Sequence, residues 1–411
     1  MTQTTPVSSR KQRNVLVKAA ADFVTKAMVD GSYRTFLPLR RLADDYPNAC
    51  FEKRGAQHKM SVFCSNDYLG MSNHERVVAA ARRVLDEQGL GSGGSRNISG
   101  TSLHHVELEA ELAALHGKES ALVFNSGYVA NDETLGVIGK LMPELIVLSD
   151  GKNHRSLIEG IRKSGLKKVI FEHNSVSDLE AKLKALPADA PKLIVLESIY
   201  SMDGHFGPLE EVCRLKHRHN AMIFLDETHG VGVYGRTGAG VADHMGLGHE
   251  IDIVQGGFGK AHGATGGYVA GDAFLIDAVR LMAPGFIFTT SLPPLVLAAA
   301  LESVRHLKQS NVERERLFAN VSLLKDELRR HGLPVMDSPS HIVPVLIGDS
   351  FRCKSISDAL LKEHGFYVQP INFPSVQRGQ ERLRVIVSSA HSERDIRAFV
   401  LALSRIVAAV S

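Results

Sequence analysis

Short apolar runs alternate with stretches of helical spacing along most of the chain. Helical spacing predicts helices over 75–88 and 104–115 and from about residue 131. The apolar runs predict strands near 62–64, 121–124, 145–149, 168–171, 193–197, 222–226, 252–255 and 267–270. Several runs are apolar throughout, which is typical of strands buried on both faces of a parallel sheet. The pattern predicts an α/β fold with a mostly parallel, doubly wound sheet and a ligand crevice at the carboxyl ends of its strands.

The pattern changes at both ends of this region. Helical spacing over 296–331 is followed by strands near 342–347, 367–371 and 383–388, which predicts a smaller α+β domain. Residues 15–45 also begin with helical spacing. We therefore predict an N-terminal segment over 1–60, a large domain over 61–295 and a small C-terminal domain over 296–411.

Composition narrows the class of protein. Of the 411 residues, 44% are hydrophobic and 23% charged, and the net charge is +3, so neither nucleic acid nor a polyanion is an expected partner. The four cysteines are widely spaced, which predicts neither a zinc site nor a disulfide framework. No apolar run is long enough to span a membrane. Residues 1–20 are basic and rich in Ser and Thr without the apolar core of a secretory signal, so we expect a cytoplasmic protein, with a short organellar presequence as the alternative.

One lysine stands in a glycine-rich turn between two predicted strands. The stretch 255–267 reads Q-G-G-F-G-K-A-H-G-A-T-G-G, with Lys260 as its only lysine. A desolvated lysine has a lowered pKa and can act as a nucleophilic amine in Schiff-base chemistry. The alternative is a surface hairpin in which Lys260 only adds solubility.

Other polar residues follow predicted strands. Asp226 ends an apolar strand, so it is poorly solvated and favours a cationic partner such as a pyridinium nitrogen. His229 is three residues further on, but a metal site would need a third ligand. His154 could stack on a flat ring or be structural, and Ser201 could donate to a ligand oxygen or belong to an ordinary turn.

The turn over 125–128 opens a helix, where backbone N–H groups and the helix dipole favour a phosphate group, although an ordinary capped helix start has the same sequence signature. Phosphate turn, stacking His, Asp-x-x-His and a lone Lys follow successive strands. Together these residues predict a pyridoxal 5'-phosphate site and no metal.

Longer motifs point in the same direction. They include S-N-D-Y-L-G-M at 65–71, G-G-S-R-N-I-S-G-T at 93–101, E-S-I-Y-S-M-D-G at 197–204, L-D-E-T-H-G-V-G-V-Y-G at 225–235, G-K-A-H-G at 259–263, G-F-I-F-T-T-S-L-P-P at 285–294 and R-L-R at 382–384. In these motifs the chain resembles, over about 30–391, the α-oxoamine synthases of the fold-type I pyridoxal-phosphate enzymes, and among them the aminolevulinate synthases. The resemblance implies a homodimer with shared active sites that condenses glycine with succinyl-CoA, releasing CoA and carbon dioxide, to form 5-aminolevulinate for tetrapyrrole (haem) biosynthesis.

The resemblance also implies roles for single residues. Lys260 would bind the cofactor and transfer the substrate proton, Asp226 would pair with the pyridine nitrogen, and His154 would stack on the ring. His229 and Ser201 would contact the 3-oxygen of the ring. The remaining implied positions are Ser126, Gly127 and Tyr128 in the cofactor turn, Thr289 and Thr290 at the phosphate across the dimer interface, Arg384 at the amino-acid carboxylate, and Asn66 and Tyr68 beside the site.

Five further positions complete the implied acyl-CoA region. Arg34, Arg96 and Asn97 would lie near the acyl-CoA, with Arg34 at the succinyl carboxylate. Ser95, beside Arg96, and Ser375 stand where aminolevulinate synthases usually have Thr. Each loses a methyl group, worth roughly 1–3 kcal/mol of discrimination, so a wider range of acyl donors is a hypothesis.

Three more departures lie around the lysine and after Asp226. Gly257 stands where the family usually has a phosphate-binding Thr, so Thr289, Thr290 or Ser126 would have to compensate. His262 replaces the usual Phe, and T-H-G at 228–230 replaces the common V-H-A.

Two alternatives stay open at the level of the sequence. One is another α-oxoamine synthase, such as 2-amino-3-oxobutyrate CoA ligase, which the stretches 378–380 and 387–391 resemble more closely. The other is a catalytically weak paralogue that serves as a binding partner, although Lys260, Asp226, His154 and Arg384 are all present.

Overall fold

The structure is a computed structural model that describes residues 15–53 and 55–410, with the side chain of Lys53 left out. A presequence within 1–20 would fall mostly outside the described residues. None of the helices among the described residues has the length and apolar character needed to cross a membrane.

The strands form three sheets. In chain order they are β1 (Arg40–Arg41), β2 (Asn48–Lys53), β3 (Ala56–Val62), β4 (Ser120–Phe124), β5 (Ile146–Asp150), β6 (Lys167–Phe171), β7 (Lys192–Glu197), β8 (Ala221–Asp226), β9 (Ile253–Gly257), β10 (Gly267–Gly271), β11 (Val343–Leu346), β12 (Phe366–Tyr367), β13 (Pro370–Ile371) and β14 (Arg382–Val385). The central sheet has the order β4-β10-β9-β8-β7-β5-β6, and the two small sheets have the orders β1-β2-β3-β12 and β11-β14-β13.

Helices precede, separate and follow these strands. They are α1 (Val15–Val29), α2 (Glu75–Gln88), α3 (Leu103–His116), α4 (Gly127–Leu141), α5 (Arg155–Ser164), α6 (Val176–Lys184), α7 (Leu209–His219), α8 (Val241–His244), α9 (Ala273–Met282), α10 (Pro284–Ile287), α11 (Pro294–Gln309), α12 (Val312–Arg330), α13 (Ser350–His364) and α14 (Glu393–Val410). Helix α1 buries none of its residues.

The central sheet is covered on both faces, which confirms the doubly wound α/β prediction. On one face, Leu135 of α4 and Leu157 of α5 belong to a buried cluster with Val195 and Phe224. The opposite face forms a second cluster that continues into the C-terminal part of the chain. The strands β5 to β9 pair in parallel, and β10 is antiparallel to both of its neighbours, β4 and β9.

Some predicted element boundaries were wrong. The predicted helix over 296–331 is two helices, α11 and α12, because Ser310 has an extended backbone and its hydroxyl accepts from Val312 N–H and contacts Glu313 at the start of α12. Helix α4 begins at Gly127 and not near residue 131, because the Ser126 side chain caps it by accepting from Val129 N–H at 3.2 Å.

The other corrections are in the small sheets. The strand predicted near 62–64 ends at Val62, the strand predicted near 383–388 ends at Val385, and the strand predicted over 367–371 is divided between β12 and β13. β12 pairs with β3, whereas β13 pairs with β14, so the chain leaves one sheet for another within this segment. The proposed domain limits stay a prediction.

Candidate active site

Three polar side chains lie in register at the carboxyl ends of adjacent parallel strands. Glu197 of β7 is opposite Asp226 of β8, and Asp226 is opposite Gln255 of β9. All three are buried. Since β9 ends at Gly257, Lys260 follows in the loop that returns to β10, so the sheet itself places the lysine near this polar row.

The Asp226 carboxylate is held by neutral donors. Its Oδ1 accepts from Thr228 N–H and its Oδ2 from Asn131 Nδ2, each at 2.8 Å. Asn131 also donates to Ser156 Oγ, which lies 2.7 Å from His154 Nδ1. Among the described residues both of its hydrogen-bond donors are amides, so the carboxylate can still pair with a cationic ligand.

A cavity of about 250 Å³ opens above this row. His154 is exposed to it at the start of α5, and its backbone N–H donates to Glu197 Oε1 at 2.6 Å. The sequence-predicted residues that line the cavity are Ser126, Gly127, Tyr128, His154, Asp226, His229 and Lys260. These residues come from four separate parts of the chain and surround one space.

Burial in the cavity makes the lysine easier to deprotonate. Burial lowers the pKa of Lys260 to about 8, with Arg384 adding to the effect and Asp226 and Glu197 opposing it. Burial, and then the charges of Lys260 and Arg384, also hold the pKa of His229 well below its usual value. Roughly a tenth of Lys260 is therefore a free amine at pH 7, compared with well under a thousandth at the ordinary pKa.

Backbone packing is tight where α4 begins. A Cβ atom at Gly127 would lie 2.9 Å from Gln255 Nε2, and one at Gly267 would lie 2.4 Å from the Gly127 backbone. The absence of both side chains allows the first turn of α4 to sit directly against β9 and β10. The N-terminus of this 15-residue helix therefore faces the cavity, as an anion-binding turn requires.

A second network holds Arg384 beside the cavity. Its Nε donates to the Ser201 backbone oxygen at 2.6 Å, its Nη1 to Asn66 Oδ1 at 2.9 Å and its Nη2 to Tyr68 Oη at 3.2 Å. Tyr68 Oη is also 2.8 Å from His229 Nδ1. Ser201 therefore meets this network through its backbone, and its hydroxyl does not line the cavity.

Arg34 and Ser375 lie together elsewhere. Arg34 Nη2 donates to Ser375 Oγ at 2.9 Å, and both residues line a separate cavity of about 750 Å³ between the N-terminal segment and α13. Met202, next to Ser201, also lines this cavity, which connects the two regions through one short turn.

The other predicted residues are not at either cavity within one protomer. Ser95 pairs with Thr290 in an isolated β-bridge, and Thr289 and Asn97 are exposed. Arg96 forms two hydrogen bonds with Glu109, at 2.8 and 3.1 Å. Ser95 and Thr290 are therefore neighbours, and neither lines either cavity.

The departures around the lysine form one cluster. A Cβ atom at Gly257 would lie 3.1 Å from Thr228 Cγ2, and Thr228 Oγ1 donates to Gln255 at 3.0 Å. His262 is buried edge-on to Phe258, and burial lowers its pKa to about 4, partly opposed by a hydrogen bond to the Gly257 backbone. The absence of a side chain at 257 thus leaves room for the methyl group of Thr228.

Sequence reasoning missed several residues of the site. Asn131, Ser156, Thr265, Gln255 and the carboxyl of Glu197 come from different helices, strands and loops. One signal was available, because Glu197, Asp226 and Gln255 each stand within the last residues of a predicted strand.

The chain matches known proteins over most of its length. Residues 58–403 match the family model "Aminotransferase class I and II". A 5-aminolevulinate synthase 1 from Cereibacter sphaeroides is 51% identical over 375 residues, 91% of this chain and 92% of the relative. A 5-aminolevulinate synthase from Paracoccus denitrificans is also 51% identical, over 92% of this chain and 94% of the relative.

The chain belongs to the 5-aminolevulinate synthase family. This confirms the resemblance found in the sequence motifs. A solved structure of SPT with PLP also matches, with a TM-score of 0.88 and 33% identity over 97% of this chain and 99% of that one. For a member of the 5-aminolevulinate synthase family, the cavity at Lys260 is thus the candidate cofactor site.

Proposed function

We propose that the chain condenses glycine with succinyl-CoA, releasing CoA and carbon dioxide, to form 5-aminolevulinate, with pyridoxal 5'-phosphate as cofactor. The observation that carries the proposal is the pairing of Lys260, whose pKa is lowered to about 8, with the buried carboxylate of Asp226 at one cavity. About 51% identity to two synthases supports the choice of substrates.

The residues around the cavity fit this cofactor. Lys260 offers an amine for the aldehyde, Asp226 a carboxylate for the pyridine nitrogen, and His154 an exposed ring for stacking. The N-terminus of α4 offers Ser126 and backbone N–H groups for the phosphate. When bound, the cofactor supplies an electron sink for the carbanion that forms at the glycine Cα.

The protein's own groups bind and deprotonate the substrate. Three of the five N–H donors of Arg384 are used by partners among the described residues, and the other two could bind a glycine carboxylate bidentately. The neutral form of Lys260 removes a proton from the glycine Cα and its protonated form returns one to the product. A pKa near the working pH suits both steps.

We further propose a cytoplasmic homodimer with shared active sites. The exposed position of Thr289 and the separation of Thr290 and Arg96 from the cavities support a site completed by a second protomer. The free cysteines Cys50, Cys64, Cys213 and Cys353 agree with a reducing compartment.

Release of CoA from a panel of acyl-CoA thioesters in the presence of glycine tests the reaction. We expect kcat/KM to be highest for succinyl-CoA and lower for acetyl-CoA and butyryl-CoA. An enzyme that preferred acetyl-CoA would be another α-oxoamine synthase, and the assignment of substrates would be wrong.

Replacing Arg34 with alanine is expected to lower kcat/KM for succinyl-CoA selectively, by about 10- to 150-fold, because a charge-assisted hydrogen bond to the succinyl carboxylate is lost. The rate with butyryl-CoA, which has no terminal carboxylate, should change little. Arg40→Ala is the matched control, since Arg40 is exposed and binds Gln57. An equal loss with both donors would contradict the role of Arg34.

Uptake of the cofactor by cofactor-free protein is expected to speed up with pH and to reach half its limiting rate near pH 8. Only the neutral amine of Lys260 attacks the aldehyde, and burial lowers its pKa to about 8 from an ordinary 10.5. Stopped-flow absorbance between pH 6.5 and 9.5 measures this rate. A midpoint near 10.5 would show that the lysine is not desolvated.

A further inference from the structure

Two histidines and a glutamate meet at a corner of the fold that the proposed reaction does not use. His74 stands directly before α2, His306 lies in the last turn of α11 and Glu313 in the first turn of α12. Their side chains are 24%, 11% and 14% exposed, so the corner is partly shielded from solvent. None of the three lines either cavity described above.

The spacing of their ligand atoms fits one metal ion. Glu313 Oε1 is 3.0 Å from His306 Nε2 and 3.9 Å from His74 Nε2, and all three ligand atoms lie within 4.8 Å of one another. Metal bonds of about 2.0–2.2 Å in tetrahedral geometry place ligands roughly 3.3–3.5 Å apart. The two measured distances lie on either side of that range.

Hydrogen bonding at the corner is incomplete at His74, whereas His306 Nε2 and Glu313 Oε1 form a direct hydrogen bond. His74 Nδ1 is buried without a hydrogen-bond partner among the described residues, and its Nε2 is too far from Glu313 for a direct hydrogen bond. Glu313 Oε2 accepts from Ser310 Oγ at 2.7 Å, which orients the carboxylate. The positive charge of Arg76, 3.5 Å from His306 Nδ1, is offset by its ion pair with Glu302.

We propose that His74, His306 and Glu313 form a binding site for a divalent transition metal of the zinc type, with water as the fourth ligand. Imidazole nitrogens and a carboxylate oxygen are ligands that Zn²⁺ accepts, and three protein ligands leave one position open.

A second group of similar composition does not have a carboxylate that is free to bind a metal ion. His173, Asp203 and His205 are also close together, but the Asp203 oxygens are already bound by Lys152 at 2.7 Å and Arg382 at 2.6 Å. An ion there would have to displace two cations. This second group serves as an internal control.

A bound ion would join three segments of the chain. The loop that ends at His74 carries Asn66 and Tyr68, which hold Arg384, while α11 and α12 belong to the C-terminal half. The ion would therefore stabilise the loop against the helices without entering the active site. Its loss would lower the temperature of unfolding rather than abolish the chemistry.

A calorimetric titration with Zn²⁺ tests the proposal. The holoenzyme is first freed of metal by dialysis against a chelator. We expect one tight equivalent per chain, and an affinity at least about 100-fold weaker in His74→Ala and Glu313→Gln. Substitution with Co²⁺ should give the visible bands of a tetrahedral ion in the wild type, and these bands should be missing in His74→Ala and Glu313→Gln. His205→Ala should bind as the wild type does.

The visible band of the cofactor and the circular dichroism spectrum report whether each variant is folded. Glu313→Gln keeps the shape of the side chain, so it remains informative if His74→Ala does not fold. The assignment would be overturned if the wild-type protein bound no Zn²⁺ tightly. It would also be overturned if His205→Ala lost Zn²⁺ binding while Glu313→Gln kept it.

Discussion

Replacing Lys260 with alanine is expected to lower the rate of CoA release with glycine and succinyl-CoA by at least about 10⁴-fold, at the upper end of what one general acid–base group contributes. The variant loses both the amine that would bind the cofactor and the base that would take the substrate proton. Its cofactor should bind only reversibly, and the visible band of the covalent form should be missing.

The matched control is Lys152→Ala. Lys152 lies at the same edge of the sheet, is about half exposed and pairs with Asp203, but it does not line the cavity. Its loss should cost less than about 1 kcal/mol of stability and leave the visible band unchanged. A Lys260→Ala variant with more than about a hundredth of wild-type activity would contradict the assigned role.

Replacing Asp226 with asparagine is expected to reduce kcat by about 100- to 5,000-fold, corresponding to the 3–5 kcal/mol that breaking a buried ion pair costs. The variant loses the charge that would keep the pyridine nitrogen protonated. It also turns an amide NH₂ toward either Asn131 Nδ2 or Thr228 N–H, which are both donors. An absorbance titration would measure the accompanying loss of cofactor affinity.

The variant Glu197→Gln tests whether the loss of kcat in Asp226→Asn comes from the lost charge or from the change of a carboxyl to an amide. Burial, and then the charge of Asp226, hold the pKa of Glu197 well above its usual value, so the substitution alters the charge of the site less than Asp226→Asn does. We expect a much smaller effect on kcat than at Asp226. Equal losses of kcat in the two variants would mean that activity depends on hydrogen bonding by Glu197 and Asp226 and not on the charge of Asp226.

The sequence allowed the sheet to be predicted because its strands are apolar throughout. Runs such as 193–196 can be buried only in the middle of a covered sheet, and they lie in β7 as predicted. Helix ends were harder to place, because Ser126 and Ser310 act through side-chain contacts three residues away that an apolar pattern does not record.

The site was predictable only where a residue's type and position in the chain were sufficient. Asp226 stands out because a charge at the end of an apolar strand is unusual, and Lys260 because it is the only lysine in a glycine-rich turn between two apolar strands. Asn131 and Ser156 are ordinary helix residues in sequence, and their contact with Asp226 and His154 depends on how α4 packs against α5. The contact between Tyr68 and Arg384 spans 316 positions, which no local pattern predicts.

The position of β10 in the central sheet determines when the lysine loop becomes fixed during synthesis. β10 lies between β4 and β9 and pairs with both, although β4 precedes it by almost 150 positions. Until residue 271 has left the ribosome, β4 has no neighbour in the sheet and the loop that carries Lys260 has no second anchor. We therefore expect nascent chains released shortly before that point to expose a strand edge and to be sensitive to proteases and aggregation.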